Sequence, residues 1–498
     1  MIDLEKLRFR RQFILGPAHV QLFYNWQKIS IGNDLFLTVH PDLPCYEATI
    51  GNVTTILLGY AVNPYLPNLS NTEIVNTLSK ESTNWELLIK HTNQLVGRWV
   101  IIYKASEKTI VFHDPAGVRQ IHFGFSISGE LWCASQPSLV ALVTDAEPDL
   151  SHHHELKNDG VFDRYRDHFW PGSTTFYKKV FRLLPNHYLD MYTRKPSRYW
   201  PVSKIEEISF DDAIVKCSKI LTGSIKAATK RYNLLFSITA GFDSRVLLAA
   251  SRDVVNELKL YTEIRKWMHP LHPDIRVPYL MLRSVGLNRK LLRVPKRVDR
   301  LFQSLFTECF PHYHEGVLKE ADVLFKSVRS YGFEPMVING NISEIGRRFY
   351  SKKGWPGDPT PELMSAKAQM KSSRYAAEQF SYWYEDAKPT IKDSGIDPWD
   401  LFYWEQKIGG WFGSVRSEYD FAIDVFLPYN CRDLLQYMLG VNPLYRQTPD
   451  YKFHESLIRY MWPELLHFSI NPPDPMKKIV KYARRIDNFI SKIMFKRQ

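Results

Sequence analysis

The run Leu234-Leu-Phe-Ser-Ile-Thr-Ala-Gly-Phe-Asp-Ser-Arg-Val-Leu-Leu-Ala-Ala-Ser251 constrains the fold more than any other segment of the chain. Leu234 to Ile238 read as a buried strand, Thr239-Ala240-Gly241 as a tight loop of small residues, and Arg245 onward as a helix. Strand, short loop and helix in that order belong to an α/β layer built on a parallel sheet. Such a junction also cradles anions, because backbone N–H groups converge there and the helix dipole favours negative charge. Asp243 beside it can hold the divalent cation that a polyphosphate needs. The same pattern also serves as a plain strand-to-helix turn. It is not a Walker A loop, since no Gly-Lys-Ser/Thr follows Gly241, and a single glycine is too few for a dinucleotide fingerprint.

At 498 residues and 44% hydrophobic content the chain is long enough for two domains and an appendage. Its N-terminal part reads as β-rich, with short strands at Thr54–Tyr60, Gly97–Lys104, Thr109–His113 and Glu130–Ala134. A boundary is expected near Tyr199-Trp200-Pro201. Beyond it a second apolar strand at Leu258-Lys-Leu-Tyr-Thr262 follows the opening segment, and residues 360–470 read as mostly helical. The five Cys are scattered singly, so neither a zinc site nor a disulfide framework is expected. That usage fits a reducing compartment. With no secretory apolar segment and no run of about 18 apolar residues, a cytoplasmic location is expected.

The net charge of +12 is partly local. Residues 476–498 carry Lys477, Lys478, Lys481, Arg484, Arg485, Lys492, Lys496 and Arg497, with Ile479, Ala483, Ile486, Ile490 and Ile493 at helical spacing. This basic amphipathic helix either docks on the protein's own surface or lies peripherally on an anionic membrane. Charge alone raises an RNA-modifying enzyme, but nucleic acid is not the expected partner.

Thr239 to Ser244 resembles the pyrophosphatase loop (PP-loop) Ser-Gly-Gly-x-Asp-Ser of the N-type ATP pyrophosphatases, which asparagine synthetases and their relatives carry. Gly241, Asp243 and Ser244 match. Thr239 and Ala240 replace the first Ser and Gly, and Arg245 replaces a frequent second Ser, where it could add positive charge near the phosphates. Met336-Val-Ile-Asn-Gly-Asn-Ile-Ser-Glu344 resembles the family's second phosphate-side motif, Ser-Gly-x-Gly-x-Asp-Glu. Gly340 falls on the Gly whose backbone faces the nucleotide. Glu344 falls where an Asp shares Mg²⁺ with the loop Asp. The stretch can also be read as a polar loop with an Asn-Gly turn. Asn341 is neither the Glu of asparagine synthetases nor the Tyr of β-lactam synthetases. Asp274 resembles the family's Asp at the start of the helix after the second strand, and reads equally as a helix cap. His269, His272 and His314 have no metal-ligand spacing. Asp424-Val-Phe-Leu-Pro-Tyr-Asn430 resembles a C-terminal segment that lines the carboxylate side. Lys477 or Lys478 could be the family's late lysine, or could simply begin the basic helix.

In the N-terminal half, His113-Asp-Pro-Ala-Gly-Val-Arg119, Phe123-Gly124, Cys133-Ala-Ser135 and Leu183-Leu-Pro-Asn-His-Tyr-Leu189 resemble, in order, stretches of class II glutamine amidotransferase domains. The resemblance implies an α/β chain with an α+β N-terminal part. Residues 1–200 would form a degenerate Ntn-hydrolase-like αββα sandwich and residues 201–475 a parallel-sheet adenine nucleotide α-hydrolase-like domain, followed by the helix at 476–498. The glutaminase needs an N-terminal Cys, whereas residue 2 is Ile and the first Cys is Cys45. A cut before Cys45 would remove the first strands.

The implied activity is ATP-dependent amide formation, with a small-molecule or peptide carboxylate activated as an acyl-adenylate and AMP and pyrophosphate released. ATP and Mg²⁺ would be the cofactors. Asp243 and Glu344 would hold the metal, and Ile238 (through its backbone, to adenine), Thr239, Gly241, Ser244 and Gly340 the nucleotide. Arg245 and Lys477 would stabilise developing charge. The amine would come from ammonia, a partner glutaminase or an amine substrate. A uronic acid of a surface glycan is one such carboxylate. A lasso-peptide-type macrocyclase and a non-catalytic nucleotide-binding scaffold are the alternatives.

Overall fold

A computed structural model describes residues 4–163, 167–331, 334–352 and 354–476. The basic helix expected at 476–498, with Lys477 and Lys478, therefore lies outside the described residues except for Met476.

The N-terminal part carries β1 (Phe13–Gly16), β2 (Gln27–Ile31), β3 (Leu35–Val39), β4 (Cys45–Ile50), β5 (Val53–Val62) and β6 (Val96–Lys104). It continues through β7 (Thr109–His113), β8 (His122–Phe125), β9 (Leu131–Ala134), β10 (Val180–Arg182), β11 (His187–Asp190) and β12 (Lys195–Arg198). Among the described residues these make two six-stranded sheets, ordered β10-β8-β9-β1-β3-β2 and β12-β11-β7-β6-β5-β4, with antiparallel pairings throughout.

Side chains alternate across each strand, so one residue of a pair faces the other sheet and its neighbour faces a helix. Ile56 and Leu58 meet Leu15, Leu37 and Val39 between the sheets. Leu57, Trp99, Ile101 and Phe112 instead pack on Ile74, Leu78 and Leu88 of the helices Asn71–Glu81 and Trp85–Thr92. On the far side, Ile14, Trp132 and Ala134 pack on Leu139 and Val140 of the helix Pro137–Thr144. The result is four layers: helices, sheet, sheet, helix. Ser70 and Glu73 form a reciprocal capping box that fixes the start of the first of these helices.

After β12 the helix Phe210–Thr229 leads into β13 (Leu234–Ser237), β14 (Lys259–Ile264), β15 (Lys290–Arg293), β16 (Met336–Ile338) and β17 (Asp424–Phe426). These form a parallel sheet ordered β15-β14-β13-β16-β17. The chain builds outward from β13 through β14 to β15, then crosses back to place β16 on the other side. This reversal makes a crevice at the carboxyl ends of β13 and β16, the place where open α/β sheets bind ligands. The expectation of a mostly helical 360–470 misses β17, whose three residues are too few to show a period. No described helix is long and apolar enough to cross a membrane.

The two parts meet over buried charge. Arg98 on β6 is fully buried and bonds Asp420 at 2.8 Å and Asp424 at 2.7 Å, while Arg119 reaches Asp420 at 3.1 Å. Asn430 donates to Asp114 at 2.8 Å, and Asp114 also accepts from the amides of Val118 and Arg119. The His113–Arg119 motif thus joins the two parts.

Candidate active site

Both loops singled out in the sequence lie at the crevice. The helix Phe242–Ala250 starts with Gly241 as N-cap, in extended conformation and with no capping side chain. Its first-turn amides are therefore the open donors of an anion site. The three residues ahead of it are committed inward. The Thr239 amide donates to Ser244 Oγ at 3.2 Å, the Ala240 amide to Asp274 Oδ1 at 2.9 Å, and the Gly241 amide to Thr239 Oγ1 at 3.2 Å. The hydroxyls of Thr239 and Ser244 also pair at 2.9 Å. Asp274 sits in the first turn of the helix Pro273–Ser284, yet its carboxylate serves the loop.

The second loop leaves β16 and turns at Ile342, a β-branched residue held at φ 84°, where such side chains are strained. That turn brings Ser343 and Glu344 onto Asp243. The Ser343 hydroxyl donates to Asp243 Oδ1. Gly340 permits the contact: a Cβ there would lie 2.8 Å from Asp243 Cβ and 3.1 Å from its carbonyl carbon. Gly340→Ala should therefore cost about 1–3 kcal/mol from forced overpacking, measured as a lowered thermal midpoint.

Asp243 and Glu344 converge on one cation that sequence reasoning missed. Arg347 Nη2 stands 3.1 Å from Asp243 Oδ2 and 3.3 Å from Glu344 Oε1. Glu344 Oε2 is buried without a hydrogen-bond partner. Burial pushes the Glu344 carboxyl above its ordinary range and the Asp243 charge adds to this, against Arg347. The only sequence signal for Arg347 was its position one helical turn after Glu344.

A cavity of about 330 Å³ opens beside the first loop, lined by Thr239, Tyr261, Glu263, Arg265, Trp267 and Asn339 among others. Burial and the neighbouring Glu320 push Glu263 up to about 7, and Arg265 bridges the two carboxylates.

Two expected roles change. Arg245 is fully buried and turned from the phosphate side: its guanidinium donates to the carbonyls of Leu465 at 3.2 Å, Phe468, and Ser469 at 2.9 Å. It anchors the segment that crosses the loop, where the Asn471 amide donates to the Ala240 carbonyl at 3.0 Å. Ile238 is also buried, with its amide bonded to Tyr261 O and its carbonyl to the Thr262 hydroxyl, so its backbone is taken up by β14. Of the three histidines without metal spacing, His269 pairs with Asp474 and His314 with Glu418. Among the described residues no three His, Cys, Asp or Glu group as metal ligands.

In the N-terminal part, β1 begins at Phe13, and Arg10 and Arg11 just before it reach across to the carbonyls of Ala422 and Asp420. The start of the first strand is therefore covered by chain. Cys45 opens β4, after three strands, and burial pushes its thiol up to about 12, so it is not a thiolate at neutral pH.

No protein-family model matches the sequence, and no curated protein matches it either. Solved structures overlap it partially. They include a glutamine-dependent NAD+ synthetase from Acinetobacter baumannii in complex with ADP, at 9% identity over 41% of this chain and 43% of that one, TM-score 0.21. An NH3-dependent NAD synthetase from Campylobacter jejuni overlaps at 12% identity over 40% and 92%, TM-score 0.21. A glutamine phosphoribosylpyrophosphate amidotransferase from B. subtilis, complexed with ADP and GMP, does so at 12% identity over 67% and 77%, TM-score 0.23. The chain thus spans under half the length of the Acinetobacter synthetase. Overlaps this slight carry no assignment.

Proposed function

We propose that the chain is an ATP-dependent carbon–nitrogen ligase that activates a carboxylate as its acyl-adenylate and passes it to an amine it does not itself generate. The observation that supports this reading is the meeting of two loops at the sheet's crevice, with Asp243 and Glu344 sharing one cationic partner. The donor set suits a magnesium ion, which usually takes one or two carboxylates and the substrate's phosphates. Glu344 Oε2, buried and unpaired, is an acceptor such an ion would satisfy. Mg²⁺ held by Asp243 and Glu344 would offset charge on the departing pyrophosphate.

The chain's own residues do the rest. First-turn amides of the helix after Gly241 receive the phosphates. Thr239 and Ser244 lock the loop, and the nucleoside enters the cavity beside it. The substrate carboxylate oxygen attacks the α-phosphorus as the bond to the β-phosphate oxygen breaks. The amine then attacks the acyl carbon, AMP leaves, and the amine nitrogen loses a proton. Arg347, released from between the carboxylates, takes over the charge-stabilising role first expected of Arg245, with Lys477 as a second candidate. With Arg10 and Arg11 packed ahead of β1 and a protonated Cys45 on β4, the amine comes from ammonia, a partner or an amine substrate.

A specific observation favours a second reading. The amides of Thr239, Ala240 and Gly241 are all bonded inward, as they would be in a nucleotide-binding scaffold without turnover. Pyrophosphate–ATP exchange across a carboxylate panel separates the two. The ligase exchanges label with at least one carboxylate, and Asp243→Asn lowers that rate about 100-fold while keeping a near-native thermal midpoint. Absence of exchange with every carboxylate favours the scaffold, and undiminished exchange in the variant sinks the mechanism.

A further inference from the structure

The seam between the β-sandwich and the parallel-sheet part holds a second cavity, of about 120 Å³, that the ligase reading does not use. The sandwich contributes His122 on β8, Gln136 ahead of the helix Pro137–Thr144, and Arg182 on β10. The other side contributes His312 and His314, with Ser417 and Glu418 of the helix Gly413–Asp420. Phe162, Trp170, Phe176 and Phe310 also line it.

Unsatisfied polar atoms gather here. His122 Nδ1, Gln136 Nε2, His312 Nε2, His314 Nε2 and Ser417 Oγ are buried without a hydrogen-bond partner. Four of these side chains are themselves more than nine-tenths buried: His122 at 3% exposure, Gln136 at 4%, His314 at 6% and Ser417 at 7%. Each such group costs about 1–3 kcal/mol when left unpaired, and a folded chain rarely concentrates them without a use.

His314 is held for presentation. Its Nδ1 lies 2.7 Å from Glu418 Oε1, its own amide donates to Oε2 at 3.0 Å, and its ring stacks on His168 at 3.9 Å. Nε2 is the nitrogen left for another partner. Burial lowers His122 to about 3, His168 to about 2 and His312 to about 4, so these rings are neutral at pH 7 and each can donate once and accept once. The formal charges on the lining, Arg182 and Glu418, are of opposite sign. Aromatic walls favour a flat partner, and the volume is close to the roughly 150 Å³ cavity that takes a benzene.

We propose that this cavity binds a small, neutral, single-ring aromatic molecule carrying hydrogen-bonding groups on its rim. The test titrates phenol, uracil and benzene into the full-length protein by calorimetry, with thermal unfolding alongside. Phenol or uracil should bind with a Kd under about 1 mM, raise the thermal midpoint, and bind Asp243→Asn equally well. Benzene should bind at least about tenfold more weakly. Ser417→Leu, which fills the cavity, should lose binding about tenfold or more. Gln136→Ala, which removes one rim donor, should weaken it by about fivefold and keeps the test decisive should Ser417→Leu not fold. Failure of both polar rings to bind below about 10 mM overturns the proposal. Equal binding of benzene, or undiminished binding by the folded variants, overturns it too.

Discussion

Replacing Arg347 with Met should lower the stability of the unliganded protein by about 3–5 kcal/mol at pH 8, seen as an earlier urea midpoint. The guanidinium is the shared partner of Asp243 and Glu344, and its own side chain is 11% exposed. Without it two carboxylates face each other in a poorly solvated crevice. The pH dependence identifies the cause. A carboxyl whose folded pKa is raised costs nothing below its unfolded value, here 4.5 for Glu344, because both states are then protonated. The cost grows as pH climbs above that value, up to the folded pKa. The variant's deficit should thus be small at pH 4.5 and large at pH 8. Millimolar Mg²⁺ with ATP should recover part of it, since a cation binding between the carboxylates stabilises the folded state by mass action. A deficit that is flat with pH would mean that Arg347 acts by packing alone.

Short-range chemistry was legible: four strands of the N-terminal part fall within two residues of β5, β6, β7 and β9, and the loop between β13 and its helix was visible from composition. The order of β13 and β16 in the sheet was not; the family resemblance alone put Glu344 beside Asp243, and the close packing of Gly340 on Asp243, about a hundred residues away, came only with the fold. Arginines were ambiguous for the same reason. Arg245 follows the loop directly and invites a phosphate role, yet its partners are carbonyls 220 or more residues later in the chain. Arg347 lies between Gly346 and Arg348 in no motif, and its charge gains meaning only once Asp243 joins the nearby Glu344 against it. Backbone carbonyls and buried partners leave no pattern in a sequence, whereas apolar alternation does.

The same fold buries histidines that no spacing marked as special, and acid should expose them. His40, His122, His168 and His312 are lowered from 6.5 to about 4, 3, 2 and 4, in each case chiefly by burial. His454, fully buried with both ring nitrogens unpaired, lies well below its ordinary value. A depressed histidine is neutral when folded and charged when unfolded, so below pH 6.5 the unfolded chain binds protons that the folded chain refuses. Stability is then lost as pH falls, at about 1.4 kcal/mol per unit for each such ring. Between pH 7 and 5.5 the four rings with stated values should together cost about 5 kcal/mol. Glu263 and Asp400, raised to about 7 and about 6, work the other way, but over the same interval they return only about 2 kcal/mol. Down to pH 5 these two carboxyls go on opposing the loss with about one and a half protons, against nearly four from the histidines, so the decline continues. Urea midpoints measured from pH 7.5 to 5 should fall steeply, and His122→Gln should flatten the slope by about one proton. A midpoint that holds steady or rises on acidification would show that these rings take up protons in the folded state. The cavity at the domain seam would then be charged rather than neutral, and a different class of ligand would follow from it.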